Sequence, residues 1–245
     1  MKQGGLIIAG LVLMFSLTLA PVAAQNKSVN FETYILDDFD NRESAEWTWT
    51  AVGSKFITDG YPVLKYFDGM PNAIRVMQNQ SDGEYKILGV QFKFNRKGDN
   101  WVDIIPVKAN DDGEDAPYEI PFKGVVSRLD MWVWGAGYNY ELQALVRDCF
   151  GRVHTLSFGW LNHEGWKNMS VNVPTSLAQK SRYFSDTQNM TLVALRIRTK
   201  PTERVDDFYI FFDQFKALTD TFMPSYDGFE LVGTDFNDSN EQGAQ

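Results

Sequence analysis

The sequence predicts an all-β fold, a jelly-roll-like antiparallel β-sandwich with long loops. Three observations predict it. Short segments alternate apolar and polar residues at the two-residue period of a strand, and they are rich in Trp, Thr, Val and Tyr. Turn signals built on Gly, Pro, Asp and Asn separate these segments. Helical periodicity is almost absent. Many short strands at this spacing need two facing sheets, each burying one side.

Taken in order, EWTWTAVGSKFI at 46–57 sets Trp47, Trp49 and Ala51 against threonines and reads as a strand. DGYP at 59–62 and DGMPNA at 68–73 are turns, and VLKYF between them is a short strand or an extended loop. YKILGVQFKF at 85–94 and WVDIIPV at 101–107 are strands joined by RKGDNW, and KANDDGEDAP at 108–117 is an acidic loop. Between 122 and 173 lie four strands, VVSRLDMWVWG, YNYELQALVRD, GRVHTLSFG and WKNMSVNVP, with Gly137, Gly151 and Gly165 near their ends, where tight turns need them. SLAQKSRYFSDTQNM at 176–190 carries the weakest signal and is a helical turn or a long connection. TLVALRIRT at 191–199 and DDFYIFFDQFKALTD at 206–220 close the domain. WVW and FYIFFDQF are apolar on both sides, as central strands are when their outer face is also covered.

The chain divides into four parts. Residues 1–24 read as a secretory signal peptide. Lys2 is followed by the uncharged run LIIAGLVLMFSLTLA, with Val22 and Ala24 at the small positions before cleavage. The run is short for a bilayer span, so no membrane insertion is expected after leader removal. Residues 25–34 are polar and expected to be a flexible start. The sandwich is expected over 35–220, and 221–245 is an acidic tail with no basic residue.

The full chain carries a formal charge of −9; the leader holds one lysine and no acid, which gives −10 without it. That balance, with no compact Lys/Arg cluster, argues against nucleic acid as a partner. Cys149 is the single cysteine, so an exported chain of this kind is not a disulfide scaffold and a buried thiol is expected.

The residues give catalysis little support. His154 and His163 fit no metal-site spacing, and a zinc site would need the fold to join them with an acid such as Glu164. No serine sits in a glycine elbow. Cys149 beside Asp148 reads as a turn between strands. Nothing selects a carboxylate pair of the glycosidase kind from 32 acidic residues. No enzyme activity and no cofactor are expected. A structural calcium ion is the one open candidate, with Asp38 in LDDFD and Asp213 in IFFDQF as weak ligands that could pin the first strand to the last. Asn26, Asn168 and Asn189 each begin an Asn-X-Ser/Thr sequon.

Aromatic residues make up 14% of the chain, and they are the candidates for contact with a partner or a glycan. Trp132 and Trp134 share one face of their strand, while Leu129, Met131 and Val133 line the other. Either face could be core, and the first expectation is that the opposing sheet covers the tryptophans. The loops 59–72 and 160–167 add Tyr61, Tyr66, Phe67, Trp160 and Trp166.

The stretches ILDDFDN, TWTAVGSKFITDGYPVLKYFDGMPNAIRV, LDMWVWGAGYNYELQALVRDCFGRVHTLSFGWLNHEGWKNMSVNVP and DDFYIFFDQFKALTD resemble the spirochaete flagellar filament outer layer proteins, the sheath subunits of periplasmic flagella. The likeness covers most of 35–220, and SKF, GYP and the following K and G.P are its most specific part. The pattern GRVH, FG, GWK and P is shared more loosely with jelly-roll carbohydrate-binding modules. The resemblance implies a periplasmic structural protein that forms an outer layer around or beside core flagellins, contacts other sheath subunits, and contributes to filament shape and motility. The alternative is a secreted carbohydrate-binding jelly-roll module.

Overall fold

The computed structural model describes residues 29–40, 45–78, 85–180 and 189–221. The expected signal peptide, the sequon at Asn26, the centre of the weak 176–190 stretch and nearly all of the acidic tail lie outside the described residues.

Thirteen strands and one helix follow one another among those residues. They are β1 (Phe31–Asp37), β2 (Thr48–Gly53), β3 (Val63–Asp68), α1 (Asn72–Gln78), β4 (Lys86–Phe92), β5 (Trp101–Ala109), β6 (Asp115–Pro117) and β7 (Ile120–Pro121). Then come β8 (Val125–Ala136), β9 (Glu141–Arg147), β10 (Val153–Trp160), β11 (Glu164–Asn172), β12 (Thr191–Arg198) and β13 (Phe208–Asp220). One sheet runs β11-β8-β13-β4-β3, with β1 also paired to β13. The other runs β10-β9-β12-β5-β2, with β6 on β5 and β7 on β12. Every strand pair is antiparallel. This is a jelly-roll-like sandwich.

β1 begins at Phe31, inside the segment expected to be a flexible start, because its backbone pairs with β13 from Asp220 to Phe215. VLKYF is a strand, since every residue from Val63 to Asp68 has a partner on β4. The helix was not expected. Pro71 opens it, its carbonyl accepting from Ile74 and Arg75, and Ile74 is buried. One anchoring side chain is too little for a periodic signal.

The core is built from the inward rows of both sheets. On β8 these are Leu129, Met131 and Val133, all fully buried. On β13 they are Phe208, Ile210 and Phe212, then Phe215 and Ala217. The step from 212 to 215 breaks strict alternation. Asp213 pairs with Trp132 and Lys216 with Asp130, so β13 spends one extra residue there. Gln214 takes up that residue with φ of 50°, a left-handed conformation unusual for a side chain with a Cβ. The bulge resets the parity, keeping Gln214 and Lys216 out of the core row. It also marks a change of partner, because β13 pairs with β4 up to Phe212 and with β1 from Phe215.

The acidic entry ILDDFDN is a staple at this junction. Asp37 accepts the Phe39 N–H at 2.7 Å and the Trp49 indole N–H at 2.7 Å. Asp40 accepts the Lys86 N–H at 2.7 Å. Asp213 lies nearby, 4% exposed, on the outer side of the bulge. Burial, together with the charges of Asp40 and Asp38, pushes its carboxyl up to about 8, although the Gln214 N–H and the Lys216 ammonium pull the other way.

The connections give the sandwich two unlike ends. The links 54–62, 93–100, 137–140, 161–163 and 199–207 each cross between the sheets, and all five lie at one end. Backbone bonds tie them together, among them Thr58 N–H to the Lys93 carbonyl, Phe94 N–H to Val205 and Leu161 N–H to Tyr140. The ring cluster of Phe92, Tyr140 and Phe208 plugs the core beneath, and the Tyr140 hydroxyl donates to the Arg204 carbonyl at 2.7 Å. The opposite end carries the β5–β6 hairpin at 110–114 and the β9–β10 turn at 148–152.

Asp213 yields a pH prediction. The fold holds its proton up to about pH 8, whereas the unfolded chain releases it near 3.8. Ionisation therefore favours unfolding by an increasing amount as pH rises across that window. Asp213→Asn is expected to raise the melting temperature at pH 7–8, by a stability gain on the order of a few kcal/mol, with a smaller gain at pH 5. Thermal melts of both proteins across that range check it. An equal shift at every pH would contradict it.

Candidate site: the aromatic outer face of the six-stranded sheet

Residues that alternate with a core row must point away from it. On β8 those are Trp132 and Trp134, and on β13 they are Tyr209 and Phe211. Register places Trp166 of β11, Trp134 of β8, Phe211 of β13 and Gly89 of β4 in one row across the sheet. The row beside it holds Asn168, Trp132 and Asp213. The opposing sheet packs on Leu129, Met131 and Val133 instead, so the first expectation for the tryptophans is corrected. They lie on the outer face, each half-buried by neighbours in its own sheet.

The rings form a connected platform. Trp134 stacks on Tyr209 with centroids 5.3 Å apart and meets Phe211 edge-on at 5.7 Å. Phe211 in turn meets Phe67 of β3 edge-on at 5.6 Å. Gly89 is what allows the last contact. A Cβ there would come within 2.6 Å of Phe67 and 2.9 Å of Phe211. The result is an open trough of about 280 Å³, floored by Gly89 and bordered by Phe67, Tyr209, Phe211, Lys65 and Gln91. Phe67 and Tyr209 remain 46% and 43% exposed. Gln91 donates to Asp207 at 3.2 Å on the rim.

The seven-stranded sheet contrasts with this. On its outer side Arg196 forms a two-pronged pair with Asp103 at 2.6 and 2.7 Å and lies over Trp101. One face of the sandwich is thus aromatic and the other is ion-paired.

The aromatic candidates read from the sequence separate into three places. Trp132, Trp134, Trp166 and Phe67 share the outer face. Tyr66 packs against the core from the other side of β3. Tyr61 and Trp160 sit at the crossover end, where Lys93 lies over the Tyr61 ring and Lys200 over the Trp160 ring. Tyr209 and Phe211 complete the platform and were missed. The signal was present in FYIFF, where Phe208, Ile210 and Phe212 alternate with them.

The thiol and histidine candidates from the sequence lie at the β9–β10 turn and at the ends of β10. Asp148 closes its turn by accepting the N–H groups of Phe150 and Arg152, and it contacts His154 Nε2 at 2.7 Å. Burial raises its carboxyl, but these bonds outweigh burial and hold it below the usual carboxylate range. Burial and the Asp148 charge push the Cys149 thiol up, which suppresses the thiolate that nucleophilic chemistry needs. His154 and His163 stand at opposite ends of β10. Among the described residues no three His, Cys, Asp or Glu side chains converge as a metal set.

Comparison with known proteins adds the following. TmCBM61 in complex with β-1,4-galactotriose is 16% identical, with a TM-score of 0.36 over 76% of this chain and 99% of that one. The family 11 carbohydrate-binding module of the cellulosomal cellulase Lic26A-Cel5E of Clostridium thermocellum is 10% identical, with a TM-score of 0.40 over 82% of this chain and 100% of that one. A flagellar filament outer layer-like protein of Brachyspira hyodysenteriae is 25% identical over 193 residues, covering 79% of this chain and 81% of its own. The model of the flagellar filament outer layer protein FlaA matches residues 28–226. That match takes in the whole sandwich, and the chain belongs to the FlaA family of flagellar filament outer layer proteins.

Proposed function

We propose that this chain is an exported, non-catalytic subunit of the outer layer of a periplasmic flagellar filament, and that its aromatic sheet face seats it against core flagellin or a neighbouring sheath protein. The observation that carries the reading is the platform of Trp134, Tyr209, Phe211 and Phe67 on a face that the opposing sheet does not cover. Rigid aromatic anchors within a polar rim are the usual currency of protein interfaces. An outer layer also asks for a stiff body and repeated contacts, which a two-sheet sandwich supplies without a tuned cleft. Through such contacts the layer would bias filament shape and hence motility.

A second reading is favoured by the trough at Gly89. Flat rings beside amide and charged groups also suit a sugar ring, so the same face could retain a glycan.

Two experiments separate these readings. Purified flagellar filaments are expected to carry the chain, and Tyr209→Ala with Phe67→Ala is expected to weaken its incorporation by about 2 kcal/mol of binding. The isolated variant should stay folded and lose about 1–3 kcal/mol of stability, since each half-buried ring gives up ring contacts of the platform. Absence of the chain from filaments, with the protein present in the periplasm, would refute the first reading. On a glycan array the second reading expects retention by the wild type and its loss in Gly89→Val, whose side chain would collide with Phe67 and Phe211 and break up the platform. No retention by the wild type would refute it.

A further inference from the structure

The sandwich carries a basic cleft at one end and an acidic hairpin at the other, although the crossover links as a whole also hold Asp59, Asp99, Glu203, Asp206 and Asp207. At the crossover end, Lys93–Lys97 supplies three cations and no acid, and Lys200 and Arg204 stand beside it. Several of these cations lie over rings, with Arg96 at 4.3 Å from the Phe56 centroid and Arg204 at 3.8 Å from that of Tyr138. Lys97 donates to the Thr202 carbonyl at 3.2 Å. Among the described residues none of these five cations forms an ion pair with a carboxylate. Lys93, Lys97 and Arg204 border an open cleft of about 500 Å³ with Thr58, Asn95 and Asp206. Asp206 accepts from the Tyr138 hydroxyl at 3.3 Å.

At the opposite end, the β5–β6 hairpin projects Asp111, Asp112, Glu114 and Asp115, all exposed. Its tip is fixed in shape, because the Asn110 side chain accepts the N–H groups of Asp112 and Glu114. None of its four acids has a cation partner among the described residues; Lys108 is already paired with Glu46 at 3.0 Å. β5 alone, nine residues long, separates the two ends by about 27 Å along the strand direction.

We propose that the acidic β5–β6 hairpin of one copy docks in the basic cleft of the next, so that the chain assembles head to tail along its strand axis. The two surfaces are unlike, and a contact between unlike surfaces repeats as a line instead of closing as a two-fold dimer. Cations held over rings keep their charge in place without a carboxylate of their own, so an incoming acid displaces little. Four acids facing three lysine or arginine groups supply complementary fields, which raise association rate and fix register. The proposal extends the outer-layer reading by naming the neighbour along the layer. It is tested on the isolated chain, so its failure and that of filament incorporation are separately visible.

The test is self-association of the purified full chain by sedimentation velocity. Wild type is expected to form linear oligomers at low salt, with affinity falling about tenfold or more as ionic strength passes about 0.1 M and the screening length shortens to about 10 Å. Lys93→Glu with Lys97→Glu should remain monomeric, and so should Asp111→Lys with Asp112→Lys. Lys97, Asp111 and Asp112 are exposed and Lys93 is half-buried over the Tyr61 ring, and circular dichroism checks that each variant keeps the fold. Mixing the two variants brings the intact acidic hairpin of one against the intact basic cleft of the other, so heterodimers should form. A wild type that stays monomeric at low salt, variants that associate like wild type, or a mixture that stays monomeric would overturn the proposal. Retention of the wild type on a generic polyanion resin without self-association would also overturn it, assigning the cleft to another acidic partner.

Discussion

The apolar inner row of β13 is the constraint on which the rest of the fold depends. Phe208, Ile210, Phe212, Phe215 and Ala217 are fully buried along one strand. Burying each large side chain is worth about 1.5–3 kcal/mol. That row stays continuous only because one residue is inserted at Gln214. Without it, Gln214 and Lys216 would turn inward and Phe215 outward. The same insertion lets β13 hand over from β4 to β1, and it strands Asp213 beside the acidic staple of Asp37–Asp40. The cost of a buried carboxyl is thus tied to the geometry that keeps the core apolar.

The functional face follows from that geometry. Once Phe208, Ile210 and Phe212 face inward, Tyr209 and Phe211 must face outward, and register brings them against Trp134. A polar outer row would have sufficed for solubility, as the Arg196–Asp103 pair on the other sheet illustrates. Here the outer row is aromatic, with Gly89 letting the Phe67 and Phe211 rings close over its backbone where any side chain would push them apart. Five crossings at one end, and the β5–β6 and β9–β10 hairpins among the links at the other, give the body a direction as well as a face. Membership of the FlaA family gives both features a context, a layer of repeated subunits on a filament.

Much of the fold was legible in the sequence. The strands from 125 to 172 are visible as alternation, and their ends as glycines, because a half-buried strand imposes a period of two and a tight turn favours the least hindered residue. The pairing of Trp132 with Trp134 on one face was also legible. Which face is core was not, because Met131 and Val133 on one side and two tryptophans on the other are both apolar enough to be buried. That choice is made by the opposing sheet, a long-range fact. FYIFF was read as covered on both sides for the same reason, which hid Tyr209 and Phe211 as site residues. The start of β1 was missed because FETY is half polar and is held by backbone bonds to β13. The bonds that Asp37 and Asp40 accept, from the Trp49 indole and two backbone N–H groups, were not legible in the sequence, because composition does not reveal those partners.

The most direct measurement of the central claim is hydroxyl-radical footprinting of the chain in intact filaments against the free protein. If the aromatic face is the seat, Tyr209, Phe67 and Trp134 become several-fold protected in the filament, while Val52 and Val153 on the opposite sheet stay labelled. Equal labelling of Tyr209 and Phe67 in both states, with protection on the opposite sheet, would contradict the account.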